Sequence, residues 1–194
     1  DADSVKTAVA ETVHCFGGLD IVVSNAGIFP LSATIEAMPD DTWSASLAVN
    51  LTSHRLLLRE TIPYLRLGAD PAIIIVASKN VAAPGPGAAA YSVAKSGLTQ
   101  LARVAALELA GDGIRVNVVH PNAVFDTAIW TDEVLAKRAE HYGLSVPEYR
   151  TNNLLKVEVT SKDVAALACE MAGPTFAKTT GAQIPIDGGN DRVV

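Results

Sequence analysis

The sequence is poor in the residues that build disulfide frameworks and metal centres. It contains two cysteines, Cys15 and Cys169, and four histidines among 194 residues, and the histidines lack partners at metal-ligand spacing. Two cysteines far apart along the chain fit a reducing compartment, so we expect a cytoplasmic protein without a metal site. The chain also lacks clusters of lysine and arginine and carries a net charge of −6, which argues against a nucleic-acid partner. Its longest apolar runs are far too short to span a bilayer.

Hydrophobic residues, by contrast, make up 49% of the chain, which is enough for one sizeable core. Short apolar segments typical of buried strands alternate with longer segments of helical period. The predicted strands cover 19–27, 71–78, 113–121 and 182–189, and the predicted helices cover about 1–16, 41–64 (broken near Pro63), 89–110, 132–142 and 161–172. We therefore expect an α/β fold, a doubly wound parallel sheet with helices on both faces.

A tyrosine and a lysine lie together on one of these predicted helices. Tyr91 and Lys95 are one turn apart in a run of small residues, so their side chains share a face. A nearby ammonium lowers the pKa of a tyrosine, which produces a group that passes protons near neutral pH. Taken alone, such a pair is more often an ordinary exposed pair on a helix. Ser78 reverses that balance, because it ends the preceding strand, where open parallel sheets bind their ligands.

Six segments extend this pattern along the chain. They are SNAG (24–27), the asparagine of VNL (49–51), Ser78, YSVAK (91–95), RVNVVHP (115–121) and TTGAQIPIDGG (179–189). In this order and at this spacing they resemble the short-chain dehydrogenase/reductase family over nearly the whole chain. The resemblance implies a Rossmann-like fold, NAD or NADP as cofactor, and hydride transfer to or from a small alcohol or carbonyl substrate.

The resemblance also implies a role for each matched side chain. Tyr91 would be the general acid/base, and Lys95 would lower the pKa of Tyr91 and bind the nicotinamide ribose. Ser78 would bind the substrate oxygen, and Asn50 would hold a water that relays protons to Lys95. The implied cofactor contacts are Asn25, Ala26, Gly27, Tyr91, Lys95, Pro121 and Val124.

Several of these residues have simpler interpretations when they are considered one at a time. Asn50 alone is a polar residue bonded within its helix, Ser78 alone is a strand-end serine, and Gly27 alone is a turn glycine. The remaining histidines of interest are expected to be surface or packing residues, and they are His54, His120 and His141. Only the joint arrangement turns Ser78 and its neighbours into an active-site prediction.

Two features depart from the family pattern. The Gly-x-x-x-Gly-x-Gly turn that cradles the cofactor pyrophosphate is absent, and the resemblance places it before Asp1. We therefore expect residues 1–194 to be the C-terminal, catalytic portion of one dehydrogenase domain, without its first strands. Asn122 stands where many family members have glycine, and the threonine spacing after it is altered, so Thr127 is not among the predicted contacts. Residues 123–160 are expected to form the substrate lid.

Some segments resemble a narrower group. HPNAVFDTAIW (120–130) and KTTGAQIPIDGG (178–189) are similar to the C-terminal dehydrogenase part of bifunctional rhamnulose-1-phosphate aldolase/dehydrogenase proteins. That similarity implies a preceding aldolase domain and a small sugar-derived hydroxyaldehyde, such as lactaldehyde, as substrate. Helices 41–64 and 89–110 often form a dimer face in the family, so a homodimer or homotetramer is expected. Two alternatives stay open: a nicotinamide-dependent epimerase or dehydratase that uses the same tyrosine and lysine, and a truncated, non-catalytic fragment.

Overall fold

One parallel sheet organises residues 1–190, the part of the chain that this computed structural model describes. Its strands are β1 (Ile21–Ser24), β2 (Ala72–Val76), β3 (Arg115–Pro121) and β4 (Gln183–Ile186). They lie side by side in chain order, and every neighbouring pair is parallel, with Val22 opposite Ile73 and Val119 opposite Ile184. The carboxyl ends of the strands therefore lie along the same edge of the sheet.

Helices make the crossovers that parallel strands require. Within residues 1–190 they are α1 (Ala2–Phe16), α2 (Asp40–Leu47), α3 (Ser53–Leu65), α4 (Ala89–Leu109), α5 (Asp132–His141), α6 (Val146–Arg150) and α7 (Ser161–Ala172). Their ends follow ordinary capping chemistry, because Asp1 accepts from the Ser4 amide at 2.9 Å and Thr160 forms a capping box with Asp163. The predicted α/β, doubly wound parallel sheet is confirmed. No helix in this part of the chain is long and apolar enough to cross a membrane.

The helix predicted over 41–64 contains an irregularity that its sequence pattern does not reveal. Between α2 and α3 the chain passes through a π-helical segment, Ala48–Thr52, without interrupting the helical path. Pro63 lies inside α3 but does not break it, because the helix ends within the same turn at Leu65. The wider π turn changes the direction of the side chains that follow it. Asn50, within the segment, and His54, just after it, reach the loop after β1.

The core has two layers, one on each face of the sheet. Alternate residues of β2 point to opposite faces: Ile73 and Ile75 pack against side chains of α3 and α4, whereas Ala72 and Ile74 pack against α7. All four of these residues are fully buried, as expected for a central strand covered on both sides. The α3–α4 layer is the one that carries the candidate active site.

Candidate active site

The sequence-predicted site residues come from three elements and meet at the carboxyl edge of the sheet. Ser78 follows the end of β2, Asn50 lies in the π-helical segment, and Tyr91 and Lys95 lie in the first turns of α4. Lys95 crosses back to the sheet, where its ammonium donates to the carbonyl of Val76 at 2.9 Å. The fold therefore assembles the predicted set in one place.

Ser78 is oriented by its own backbone neighbours. It caps the short 3₁₀ turn Lys79–Val81, and its Oγ accepts a hydrogen bond from the Asn80 amide at 3.2 Å. Because that bond uses a lone pair and not the hydroxyl proton, Ser78 can still donate. Its side chain is hydrogen-bonded to the Tyr91 hydroxyl, and this contact lowers the pKa of Tyr91, although burial raises that pKa by more. The net result is a tyrosine that keeps its proton at neutral pH.

The expected effect of Lys95 on the pKa of Tyr91 stays a prediction, and burial acts on both groups. The pKa of Tyr91 lies above its ordinary value because the phenol is buried, and Ser78 is the group that opposes this effect. Lys95 Nζ lies 5.9 Å from the centre of the Tyr91 ring and is bonded to the Val76 carbonyl. Burial also lowers the pKa of Lys95 to about 8. The ammonium is thus charged at neutral pH but close to its own titration point.

Asn50 holds the loop that follows β1. Its side-chain oxygen accepts from the Ile28 amide at 3.0 Å, and its Nδ2 donates to the Ile28 carbonyl at 2.9 Å and to Ser46 Oγ at 3.1 Å. These bonds cross to another segment, so the simpler interpretation of Asn50 as bonded only within its helix is wrong. A Cβ on Gly27 would lie 3.1 Å from Asn50 Oδ1 and 3.6 Å from Lys95 Nζ. Asn50, Gly27 and Lys95 therefore form one packed corner of the site.

His54 belongs to the same corner, and sequence reasoning missed its partners. It lies one turn after Asn50 and is fully buried, with Nδ1 at 2.6 Å from Ser24 Oγ and Nε2 at 2.9 Å from the Ala26 carbonyl. Burial, and to a smaller extent the charge of Lys95, lowers the pKa of His54 to about 4. The spacing Asn50–His54 on a predicted helix was the available signal, because residues one turn apart face the same neighbour.

His120 supports Ser78 from the next strand. Its Nδ1 lies 2.9 Å from the carbonyl of Ser78, and its Nε2 lies 2.7 Å from Gln183 Oε1 on β4. The expectation that His120 is a packing residue did not include this contact with the backbone of the candidate active-site serine. The ring ties the ends of β2, β3 and β4 together.

The segment after β3 begins with two of the predicted cofactor contacts. Pro121 is buried at the end of β3, opposite Ile186, and Val124 follows it in the turn that leads to the predicted lid. The carbonyl of Val124 accepts from the Thr127 hydroxyl at 2.8 Å, so that hydroxyl is already used locally.

Comparison with known proteins gives the family. Residues 1–191 match the family model described as enoyl-(acyl carrier protein) reductase. The chain is 34% identical over 193 residues to the uncharacterized oxidoreductase YuxG of Bacillus subtilis, covering 96% of the chain and 28% of that protein. It is 33% identical over 190 residues to the D-beta-hydroxybutyrate dehydrogenase of Rhizobium meliloti, covering 95% of the chain and 72% of that protein. The chain belongs to the short-chain dehydrogenase/reductase family.

Solved structures of other short-chain dehydrogenases/reductases have the same fold. The chain superposes on carveol dehydrogenase from Mycobacterium avium in complex with NAD with a TM-score of 0.89 at 27% identity, covering 98% of this chain and 71% of that one. It superposes on an NADPH-bound short chain oxidoreductase with an atypical catalytic center from Pseudomonas aeruginosa PAO1 with a TM-score of 0.88 at 29% identity, covering 100% and 74%. The chain thus spans about a quarter of YuxG and about 70% of the other proteins compared.

The residues of this short-chain dehydrogenase/reductase fit one side of a nicotinamide dinucleotide. Residues 25–27 are exposed at the carboxyl end of β1, and Gly27 lies so close to Asn50 that a side chain there would collide with the amide. Lys95 offers an ammonium at the same corner. Within residues 1–190, no group of three His, Cys, Asp or Glu side chains is placed to hold a metal ion. The polar groups at this corner therefore suit ligand groups that form hydrogen bonds, such as a ribose hydroxyl and an amide.

The predicted lid forms a small aromatic cluster of its own. Phe125 packs on Trp130 with ring centres 4.9 Å apart, and Tyr142 stacks on Tyr149 at 5.7 Å. Arg150, considered as an anion contact, lies 3.7 Å from the carboxylate of Glu158.

Separate from both lid and site, a groove of about 490 Å³ is lined by the loop before α4 and the outer face of that helix. Neither Tyr91 nor Lys95 lines that groove, so it is not where protons are transferred.

Proposed function

We propose that the protein is an oxidoreductase that transfers a hydride between NAD or NADP and a small alcohol or carbonyl substrate. One observation carries this proposal: the Tyr91 hydroxyl is hydrogen-bonded to Ser78, with Lys95 one turn away, at the carboxyl edge of a parallel sheet. Family membership makes an oxidoreductase the expected activity, and the solved relatives with NAD or NADPH support the cofactor.

The site residues divide the work of proton transfer and charge stabilisation. The cofactor, when bound, supplies the hydride chemistry. Ser78 donates a hydrogen bond to the substrate oxygen and stabilises the negative charge that develops there. Tyr91 is protonated at neutral pH, because burial raises its pKa, so it gives a proton to that oxygen during reduction. Lys95 carries a positive charge at neutral pH and stabilises the tyrosinate that this donation leaves; in the reverse direction, that tyrosinate accepts the proton of the alcohol.

The cofactor contacts belong to the same proposal. Residues 25–27 line the adenosine side, Lys95 bonds the nicotinamide ribose, and Pro121 and Val124 lie beside the nicotinamide. The exposure of residues 25–27 and the close packing of Gly27 on Asn50 support this arrangement. Asn50 places the loop and sits beside Lys95, which is compatible with a water between them.

The finer assignments rest on the narrower resemblance of 120–130 and 178–189. They are a lid over 123–160, a small hydroxyaldehyde such as lactaldehyde as substrate, and an aldolase domain ahead of this one. The matched region is 28% of YuxG, so that relative has much more chain than a single dehydrogenase segment, which supports a longer polypeptide. The exposed apolar residues Val93, Val104 and Leu107 on α4 support a homo-oligomer.

The test is Tyr91→Phe in the purified full-length protein, with Tyr64→Phe as matched control. Tyr64 also loses one hydroxyl, but it lies at the far end of α3, away from the site. We expect Tyr91→Phe to lower turnover by a factor of about 10² to 10⁴ while the dissociation constant for NAD or NADP changes about twofold or less. Tyr64→Phe should behave as wild type.

Two results would contradict the proposal. Substantial turnover by Tyr91→Phe would exclude Tyr91 as the proton donor. Absence of saturable NAD or NADP binding by the wild-type protein would favour the non-catalytic alternative, even with Tyr91 and Lys95 intact.

A further inference from the structure

The loop after β1 is held from behind by two side chains of the helix that contains the π segment. Asn50 bonds both the amide and the carbonyl of Ile28, and His54, one turn later, bonds Ser24 and the Ala26 carbonyl. Asn50, His54 and Ser24 are all buried, with exposed fractions of 0%, 1% and 2%. The loop is thus fixed at its start, its middle and its end by groups that solvent does not reach.

The partners of His54 determine where its proton lies. The Ala26 carbonyl can only accept, so Nε2 at 2.9 Å must carry the hydrogen. In a neutral ring Nδ1 is then an acceptor, and the Ser24 hydroxyl at 2.6 Å donates to it. A neutral imidazole therefore satisfies both contacts. Burial and the nearby Lys95 keep His54 in that neutral form, with a pKa of about 4.

The outer face of the loop is the part that His54 controls. Residues 25–27 have no regular secondary structure, and within residues 1–190 their amides donate no hydrogen bond to a backbone carbonyl. Their path therefore depends on the side-chain bonds from Asn50 and His54. Without His54, the Ala26 carbonyl and the Ser24 hydroxyl would both lose a buried partner, and the middle of the loop would be released.

We propose that His54 is a positioning residue that fixes the backbone of residues 25–27 in the conformation that binds the nicotinamide dinucleotide. This inference rests on the proposed function, because it assigns that loop to the cofactor. His54 touches neither the substrate nor the proton-transferring groups Ser78 and Tyr91. Its effect is therefore on cofactor affinity and on the order of the loop, and not on the proton-transfer step.

The experiment compares His54→Leu, His54→Gln and Thr61→Val in the full-length protein. Glutamine retains one donor for Ala26 and one acceptor for Ser24, whereas leucine retains neither. Thr61 is the control, because it is equally buried on α3 but bonds only within its own helix, to the Leu57 and Leu58 carbonyls. The measurements are the dissociation constants for NADH and NADPH by fluorescence, amide hydrogen exchange of residues 25–28, and turnover at saturating cofactor.

We expect His54→Leu to weaken cofactor binding about tenfold or more and to accelerate exchange of residues 25–28. Turnover at saturating cofactor should stay within about threefold of wild type, because Ser78 and Tyr91 are untouched. His54→Gln should restore most of the affinity and the protection. Thr61→Val should leave cofactor affinity and exchange of the loop unchanged, even where its thermal stability falls.

Three outcomes would overturn the inference. His54→Leu could bind cofactor as wild type does, with unchanged exchange of residues 25–28. His54→Gln could fail to restore both properties, which would mean that ring packing and not hydrogen bonding matters. Nitrogen-15 spectra of wild-type His54 could show Nδ1 as the protonated atom. Failure of the proposed function looks different, because wild type would then bind no cofactor while loop exchange still responded to His54→Leu.

Discussion

Burial acts in opposite directions on the two ionisable side chains of the site. It raises the pKa of Tyr91, whose charged form is an anion, and lowers the pKa of Lys95, whose charged form is a cation. The pKa values of the two groups therefore lie further apart than their ordinary values of 10.0 and 10.5. At neutral pH both still hold their protons, so the site contains one positive charge and a neutral phenol that can donate.

The lowered pKa of Lys95 predicts how stability depends on pH. The unfolded chain, in which a lysine titrates near its ordinary pKa of 10.5, binds up to one more proton than the folded protein between pH 8 and that value. The free energy of unfolding contributed by Lys95 should therefore rise with pH across that window, by about 3 kcal/mol in total. Lys95→Met removes this contribution. In urea denaturation from pH 7.5 to 10, the free energy of unfolding of wild type should rise relative to that of the variant. Parallel plots of the two free energies against pH would contradict the pKa assigned to Lys95.

For single residues, the sequence predicts which side chains carry the chemistry better than it predicts which residues contact one another. Ser78, Tyr91 and Lys95 were predicted because spacing on a helix and position after a strand both survive folding. The partners of His54 and His120 were not, because they depend on where a loop carbonyl and a neighbouring strand come to lie.

Among the elements, β3 and α7 pack together and are also joined by hydrogen bonds from one side chain. Arg115, the first residue of β3, donates to the Met171 and Ala172 carbonyls at 2.8 and 2.6 Å. These carbonyls lie at the C-terminus of α7, where a positive charge also opposes the negative end of the helix dipole. Arg115 thereby fixes α7 on the face of the sheet opposite to the α3–α4 layer.

We expect Arg115→Gln to lower the free energy of unfolding by about 2 kcal/mol, because two charge-assisted hydrogen bonds are lost at a half-buried position. Arg103→Gln is the matched control: it removes the same charge from the exposed face of α4, where Arg103 makes one long contact of 3.4 Å with Gln100. The control should change stability by less than about 0.5 kcal/mol. Equal effects of the two substitutions in chemical denaturation would show that Arg115 does not hold α7.

Most element boundaries were predicted within a few residues, but the short helix α6 and the π-helical segment were not predicted. Apolar runs and capping residues identify β2, α4 and α7, because these signals are local. The π-helical segment Ala48–Thr52 has no such signal, since its residues are compatible with an ordinary helix. Asn50, within this segment, and His54, just after it, contact the loop after β1, and those contacts depend on tertiary structure.

For the whole molecule, the two core layers predict a separation of stability from activity. Leu98, on the α4 face toward the sheet, and Met171, on α7, are both fully buried but lie on opposite sides of the sheet. Each truncation to alanine should lower the free energy of unfolding by about 2–5 kcal/mol. At a temperature where both variants remain folded, Leu98→Ala should also lower turnover, because Leu98 is one turn from Lys95. Met171→Ala should keep turnover near wild type, and the reverse pattern in paired denaturation and rate measurements would refute this separation.

The fold class was predictable because alternating strand and helix patterns leave few architectures. Four short apolar strands separated by helices favour a parallel sheet, and in the structure strands that are consecutive in the chain are neighbours in that sheet. What the pattern could not supply is the division of the core into a layer that carries the site and a layer that does not.

The π-helical segment has a consequence for any attempt to graft or recombine this protein. Ala48–Thr52 determines the rotation of the side chains of α3 about the helix axis relative to those of α2. A hybrid that joins α2 of one relative to α3 of another keeps its buried faces only if the junction preserves the length of this segment. Removing one residue there would turn every later side chain of α3 by about 100°, the angle per residue of an α-helix, and His54 would no longer meet Ser24.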